Sequence, residues 1–592
     1  MKNRAIFVRF CAFACLLTLS LSVVACNQRL DDGGQNKNTT VNVDGLITSV
    51  DTSINDKDTD SSYDENNSKS IAFSGSSASI SGLGASASGS DVTITAAGTY
   101  IVSGSSSNGS ITVNAGNNKV QLVLAGLDLT NIDGPAIHVR DAKKVTITLE
   151  KGTSNILSDK SGYSLELDGS IIDGAIFSKV NLVINGEGSL KVNGNNIHGI
   201  VSKDELVIAG GTIEVKSAST GICGKDCLKI ADANVTVNAG TDALKSDNEL
   251  DANMGYIYIQ SGTFTLNSVN DAIQAFNVAT IEGGTFDITT TSTSSTLSAK
   301  AIKGGSGVHI TGGSFYIDSE DDAIHSNGNV LIENGSFVIT SGDDGIHADD
   351  TLNITGGNIE INKSYEGIEA TNIVISGGYV DITSSDDGMN AAGGNDSNSS
   401  ASGRPGGDMF GGGTGAIVIS GGYIIMHNEG DGVDSNATVE ISGGVVLVDG
   451  PQSGGNGSFD YGTSAKITGG VVVMLGSGDM AQNFSEATQG SVLVNSSGYF
   501  TAGTTLSLVD EDGNVIVAFT STKQFRAALF SAPEIEKGKT YTFYYGATVE
   551  GLDENGYAHN TTQTGGTSCG SVTLTDYISG QGSGMSGGGR PR

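Results

Sequence analysis

A register of about 22 residues recurs through the middle of this chain. The segments Asp322-Ala323-Ile324-His325, Asp344-Gly345-Ile346-His347, Glu366-Gly367-Ile368-Glu369 and Asp387-Gly388-Met389-Asn390 are near copies of one another. Their apolar anchors, Ile324, Ile346, Ile368 and Met389, lie 22, 22 and 21 residues apart. A fixed period of this size predicts stacked units, each burying its apolar face only against its neighbours. It also predicts that the acid of each copy sits over the acid of the next.

Each copy carries a second landmark, a glycine followed by a short alternating strand. Examples are Gly284-Thr285-Phe286, Gly313-Ser314-Phe315, Gly335-Ser336-Phe337, Gly357-Asn358-Ile359 and Gly378-Tyr379-Val380. A period of two puts Phe286, Phe315, Phe337, Ile359 and Val380 on one face. A third strand precedes the glycines, as in Val308-His309-Ile310. Three short strands with tight Gly, Asp and Asn turns in one repeat make one coil of an all-β parallel β-helix. No stretch beyond the apolar N-terminal run sustains a helical period over three turns. Weaker anchors continue the register at Ile137, Ile176, Ile200, Ile222, Leu244, Ile273 and Ile302. The helix is expected over residues 71–475, with an excursion at 391–414 inside the 44-residue step from Met389 to Val433. Residues 487–548 change character and read as a small C-terminal β cap, because a terminal coil would otherwise expose unpaired edges. Residues 549–592 are rich in Gly and Ser and read as a disordered tail.

The first 25 residues read as an export signal, with Lys2, Arg4 and Arg9 before the apolar run Phe10 to Val24. The run ends in Val23-Val24-Ala25-Cys26, which resembles a bacterial lipobox. That resemblance makes Cys26 the lipidated first residue of the mature chain, membrane-bound through its lipid alone. Residues 26–70, dominated by Asn, Asp, Ser and Thr, read as a solvated tether. The formal charge is −34, and loss of the three signal cations takes it to −37. Such a chain repels nucleic acid and anionic lipid and attracts cations. Cys223, Cys227 and Cys569 remain outside the signal and the anchor, an odd number that leaves at least one thiol unpaired within the chain.

Two before each anchor stand Asp242, Asp271, Lys300, Asp322, Asp344, Glu366, Asp387 and Asp431, with Asp321, Asp343 and Asp386 beside them. At a stacking distance of about 4.8 Å, neighbouring bare carboxylates repel by about 3 kcal/mol at an effective dielectric of about 20. Lys300 relieves one end. Calcium, which takes many oxygen ligands in loose geometry, is the natural partner for Asp321, Asp322, Asp343, Asp344, Glu366, Asp386, Asp387 and Asp431. The alternative is that these residues are turn formers with solvated side chains. The position after the anchor, including His325, His347 and Glu369, either reads sugar hydroxyls or is an ordinary polar face. Tyr379 and Tyr423 share a register and suit stacking on a pyranose, or are a plain cross-strand pair.

The blocks Ala97-Gly98-Thr99-Tyr100-Ile101, Val120-Gln121-Leu122-Val123-Leu124, Gly134-Pro135-Ala136-Ile137, His198-Gly199-Ile200 and the Asp-Gly-Ile coils resemble the bacterial carbohydrate-binding domain-containing β-helix proteins. The likeness covers about residues 75–550. It implies a secreted right-handed parallel β-helix of pectate-lyase-like shape, binding calcium and an acidic or cellulosic polysaccharide. Ser219-Thr220-Gly221-Ile222 departs from the acidic pattern, which puts a metal on that coil in doubt. A non-catalytic surface polysaccharide binder is the first expectation. A calcium-dependent lyase with Lys245, Lys303 or Lys363 as base is the second, and a structural adhesin is the third.

Overall fold

The computed structural model describes residues 41–167, 170–292, 298–392 and 414–580. The signal, Cys26, most of the 391–414 excursion and the last twelve residues of the predicted tail lie outside the described residues. Nearly all regular structure is β.

Each repeat gives one strand to each of three parallel ladders. In the first, Ile137 pairs with Ile176, which pairs with Ile200. The series continues through Ile222, Leu244, Ile273, Ile302, Ile324, Ile346, Ile368, Met389 and Val433 to Phe459. Every anchor expected from the sequence is therefore in register, including those across the 29- and 44-residue steps. In the second ladder Leu228, Ile257, Ala279, Val308, Val330 and Leu352 follow one another. In the third, Phe264, Phe286, Phe315 and Phe337 are stacked nearly parallel, with ring centroids 4.6–4.7 Å apart. Ile359 and Val380 continue their row. The inward residues of all three ladders merge into one apolar core from Ile71 to Leu529. The inserted residues of the 29-residue step at Leu244 form a loop at 247–255, outside this core.

Two boundaries differ from expectation. Residues 41–67 are not a free tether but lie along the outer face of the second ladder. Asn329 donates to the Leu46 carbonyl at 3.0 Å, Lys229 pairs with Asp51 at 3.0 Å, and Asn185 donates to the carbonyls of Asp58 and Asp60. Asp58 pairs with Lys144 and is itself buried. Val50 and Ile54 pack on Tyr256, Tyr258 and Cys227. A composition that favours solvation is overridden because the face offers cations and amides to match it. Cys227 is thus apart from Cys223, which packs with Ile172, Phe177 and Val201, and neither is bridged.

The C-terminal element also extends past 548. Phe525–Ser531 pairs antiparallel with the last third-ladder strand, Val471–Gly476, and closes its edge. Strands 505–509, 515–520, 540–549, 557–561 and 563–573 form a five-stranded antiparallel sheet. The predicted tail therefore supplies two strands of it, Gln563–Thr573 pairing along Thr540–Val549. Phe519 and Phe543 of this sheet join Phe530 of the closing strand and the outward third-ladder residues Ile425, Leu447 and Val473 in one apolar cluster.

Asp449 pins this junction. It is fully buried and accepts bonds from Ser521, from the Thr522 amide at 2.8 Å and from the Thr522 hydroxyl. Burial acts to raise its pKa, but bonds from His427, Ser521 and Thr522 outweigh it and hold the carboxyl below the usual carboxylate range. Its contribution is therefore present above about pH 4 and is lost as pH falls through the folded value. Asp449→Ala is expected to lower stability by about 3 kcal/mol in urea unfolding at pH 7. The gap to wild type should narrow below about pH 4; a gap that widens on acidification contradicts this assignment.

Candidate functional site

The acid column runs along the corner where the chain enters each first-ladder strand. Part of its chemistry is local. The carboxylate of Asp271 accepts the Lys300 amide at 2.9 Å, Asp322 that of Asp344 at 3.0 Å, and Asp387 that of Asp431 at 2.6 Å. A short acid at this corner thus satisfies a backbone donor on the following rung. This is the turn-former role, and it accounts for Asp at the position without a ligand.

The column then divides by charge. In its first half, Lys300 bridges Asp321 at 3.0 Å and Asp322, with its side chain almost fully buried. His325 bonds Asp322 at 2.8 Å through Nδ1. His347 lies between Asp344 at 3.0 Å and Glu369 at 2.9 Å, and its Nε2 faces Asp349 at 3.2 Å. The two imidazoles stack at 4.8 Å. Burial acts to neutralise His347, but the bonds to Asp344 and Glu369 override it and push its pKa up to about 12. Burial likewise opposes ionisation of Asp322, yet the His325 bond and the Lys300 charge hold its carboxyl low. Asp322 with His325 and His347, and Asp344 with His347 and Glu369, have the spacing of metal sites. The cations of this half are Lys300, against Asp321 and Asp322, and His347, against Asp344 and Glu369, while burial holds His325 below the usual imidazole range.

The second half has no such compensation. Carboxylate oxygens of Asp387, Asp431 and Asp434 lie within 4.8 Å of one another, and all three residues are partly solvent-exposed. Among the described residues, no Lys, Arg or His pairs with them. Burial first, then Asp431, Asp386 and Asp434, push Asp387 up to about 8. Burial and Asp434, Asp460 and Asp386 outweigh the Gly457 amide and bring Asp431 to about 7. Burial and Asp460 bring Asp434 to about 6. Two buried acceptors nearby have no partner, Asn390 Oδ1 and Glu366 Oε2, although the Asn390 amide donates to Glu366 Oε1 at 3.0 Å. Asn390 stands in register between Glu369 and Asp434. A Cβ at Gly430 would overlap Asp386 Oδ1 and Asp387 Oδ1, so the glycine keeps open the space into which these oxygens point. An all-oxygen set of this kind, anionic and accessible, fits a hard divalent cation.

The expected sugar-reading residues are placed differently. His325 and His347 are buried in the ion network and cannot meet a polymer, because acids on their own rungs draw both rings inward. Glu369 is engaged with His347. Tyr379 and Tyr423 stack at 5.5 Å, as their register predicts. However, Asn555 donates to both hydroxyls, Tyr423 donates to Asp553 at 2.8 Å, and Tyr557 lies edge-on to Tyr423. The pair is a docking face for the C-terminal sheet. Of the expected metal set, Asp321, Asp322, Asp343 and Asp344 fall in the first half, and Glu366, Asp386, Asp387 and Asp431 in the second. Asp434, Asn390 and Gly430 complete the second half, and the sequence reading leaves all three out of the metal set. Of the candidate bases, Lys245 bonds Asp242 at 2.7 Å, Lys363 is exposed, and Lys303 lies in register between Gln274 and His325.

Removing the cation from the first half should strand buried charge. Lys300→Met is expected to cost about 3–5 kcal/mol in chemical denaturation, and adding Asp322→Asn should recover part of that loss. A double variant no more stable than the single one contradicts the pairing.

A family model described as "Carbohydrate-binding domain-containing protein" matches residues 88–345 and 343–513. A protein of the same description from Acetivibrio thermocellus is 36% identical over 122 residues, 20% of this chain and 43% of that protein. The chain thus spans less than half the length of this curated relative. A solved structure, the polysaccharide lyase-like protein from C. thermocellum in its gadolinium derivative, aligns at 28% identity. The alignment covers 45% of this chain and 96% of that one, with a TM-score of 0.37. The family match extends over well more than half of the sequence, and the chain belongs to the carbohydrate-binding domain-containing family.

Proposed function

We propose that this chain is a non-catalytic, lipid-anchored protein of the bacterial cell surface. It binds polysaccharide of the acidic or cellulosic type through a calcium-bearing face of a right-handed parallel β-helix. The three parallel ladders support the β-helix. Right-handedness follows the general rule that parallel crossovers take this hand in about 98% of cases. Family membership supports the polysaccharide. The lipobox-like Val23-Val24-Ala25-Cys26 supports the anchor.

The observation that carries the calcium is the uncompensated cluster Asp387, Asp431 and Asp434, beside the unpartnered oxygens of Asn390 and Glu366. These residues would hold the ion. Bound there, calcium supplies a Lewis-acidic point that accepts hydroxyl or carboxylate oxygens from a sugar. The protein's own residues keep the carboxylates converged through the Asp431 and Gly457 amides. The first half of the column, with its internal lysine and histidines, is structural in this reading.

Calorimetric titration of the purified chain with calcium should show saturable binding. Asp431→Asn and Gly430→Ala should each weaken it by about tenfold or more, about 1.4 kcal/mol. Asp321→Asn, in the compensated half, should leave it within about twofold, under 0.5 kcal/mol. Polysaccharide pull-down should be lost in chelator. Wild-type protein that takes up no calcium at millimolar concentration sinks the reading.

A further inference from the structure

Residues 41–67 do more than cover the second ladder. Where this strap passes the first coils it leaves a cleft of about 460 Å³ between itself and the sheet. Small-molecule clefts span about 300–1,000 Å³. The floor is an outward row on three successive rungs, Thr99, Gln121 and Thr146. Lys57, Asp58, Asp60 and Asn55 line it from the strap, and Lys119 and Lys144 from the ladder. Lys144 pairs with the buried Asp58, and the Gln121 amide donates to the Ser62 carbonyl at 3.4 Å, so the strap is held at two points of the cleft. Gln121 also accepts from Thr99 at 2.9 Å and donates to Thr148 at 3.0 Å, which fixes the floor. Asn55 Oδ1 accepts the Lys57 amide at 3.0 Å and steadies the turn that carries Lys57.

Charge selects the ligand class. Lys119 and Lys144 are direct neighbours in register, and like charges opposite one another on adjacent strands repel. Asp58 answers Lys144. The Asp60 carboxylate accepts the Ser62 amide at 3.0 Å. Among the described residues, no carboxylate pairs with Lys57 or Lys119, and the Thr146 hydroxyl has no partner. The cleft therefore presents two ammonium groups and a hydroxyl with donors unused. A ligand here must bring acceptors, and an anionic one answers the lysines. A chain of formal charge −34 otherwise turns such a group away. A uronate offers its carboxylate to the lysines and its ring hydroxyls to Thr146 and the Asn55 amide.

We infer that the cleft between residues 55–62 and the first coils is a second saccharide site, which holds a short carboxylate-bearing oligosaccharide through Lys57 and Lys119. It goes beyond the calcium reading and does not depend on it, since no acid of the corner column takes part. Exposed ion pairs contribute little each, so the affinity is weak, on the order of millimolar. The cleft alone does not retain a polymer through washing, and the expected loss of pull-down in chelator stands. The test is ligand-observed NMR of the full chain in chelator with digalacturonate, neutral galactobiose or inorganic phosphate. Hydrogen exchange of residues 55–62 runs alongside. Saturable binding of digalacturonate is expected, with galactobiose silent and phosphate weaker by about tenfold. Lys57→Ala with Lys119→Ala should weaken digalacturonate binding by about tenfold. Lys216→Ala, on the exposed third-ladder face, should leave it unchanged. Ligand at about ten times its Kd should slow exchange of the strap by about tenfold in wild type and much less in the double variant. Phosphate or galactobiose binding equal to digalacturonate, no digalacturonate binding, or a double variant equal to wild type each overturns the inference. Every sample contains chelator, so its failure and failure of the calcium reading come from separate experiments.

Discussion

In-register hydrogen bonding between successive rungs is the constraint on which everything else depends. A parallel ladder with no slip places equivalent residues about 4.8 Å apart, rung after rung. Where the position is apolar this is favourable: phenylalanines 264, 286, 315 and 337 stack face to face, and the Ile anchors fuse into one core. Where the position is acidic, the same geometry accumulates repulsion that no rotamer choice removes.

The molecule answers that repulsion in two ways. Around Asp322 and Asp344 it imports cations, Lys300 in the column itself and His347 just after the anchor Ile346. The result is a network in which Asp321, Asp322, Asp344 and Glu369 each have a lysine or histidine partner. Around Asp387 and Asp431 it imports none, keeps the groups partly exposed, and leaves two acceptors without donors. Stabilising elements close their charges internally. An open electrostatic deficit at an accessible place is what a ligand site requires.

Covering elements decide which face is left for that site. Residues 41–67 lie over the second ladder, held by Lys144, Asn185 and Lys229. The C-terminal sheet occupies the outer side of the third ladder at Ile425, Leu447 and Val473. It also takes Tyr379 and Tyr423 from any sugar. The acidic end of the first ladder keeps its partial exposure.

The period, the three strands per repeat, the inward Phe row and the anchor register were legible in the sequence, even across the 44-residue step, because each follows from local alternation and a fixed repeat. The existence of an acid column was legible for the same reason. What a side chain meets across the fold was not. Glu369, which meets His347, lies on the next rung, and Asp553, which covers Tyr423, and Lys229, which holds Asp51 to the ladder, lie more than a hundred residues away. Nor does local composition separate an Asp neutralised by lysine from one without a cationic partner, since Asp322 before Ala323-Ile324 and Asp387 before Gly388-Met389 fill the same place in the repeat. The sequence by itself determined a repeating β-stack with aligned carboxylates, because periodicity is a local property. Only the tertiary structure decided which carboxylates stay open, because burial and charge pairing depend on where distant segments come to lie.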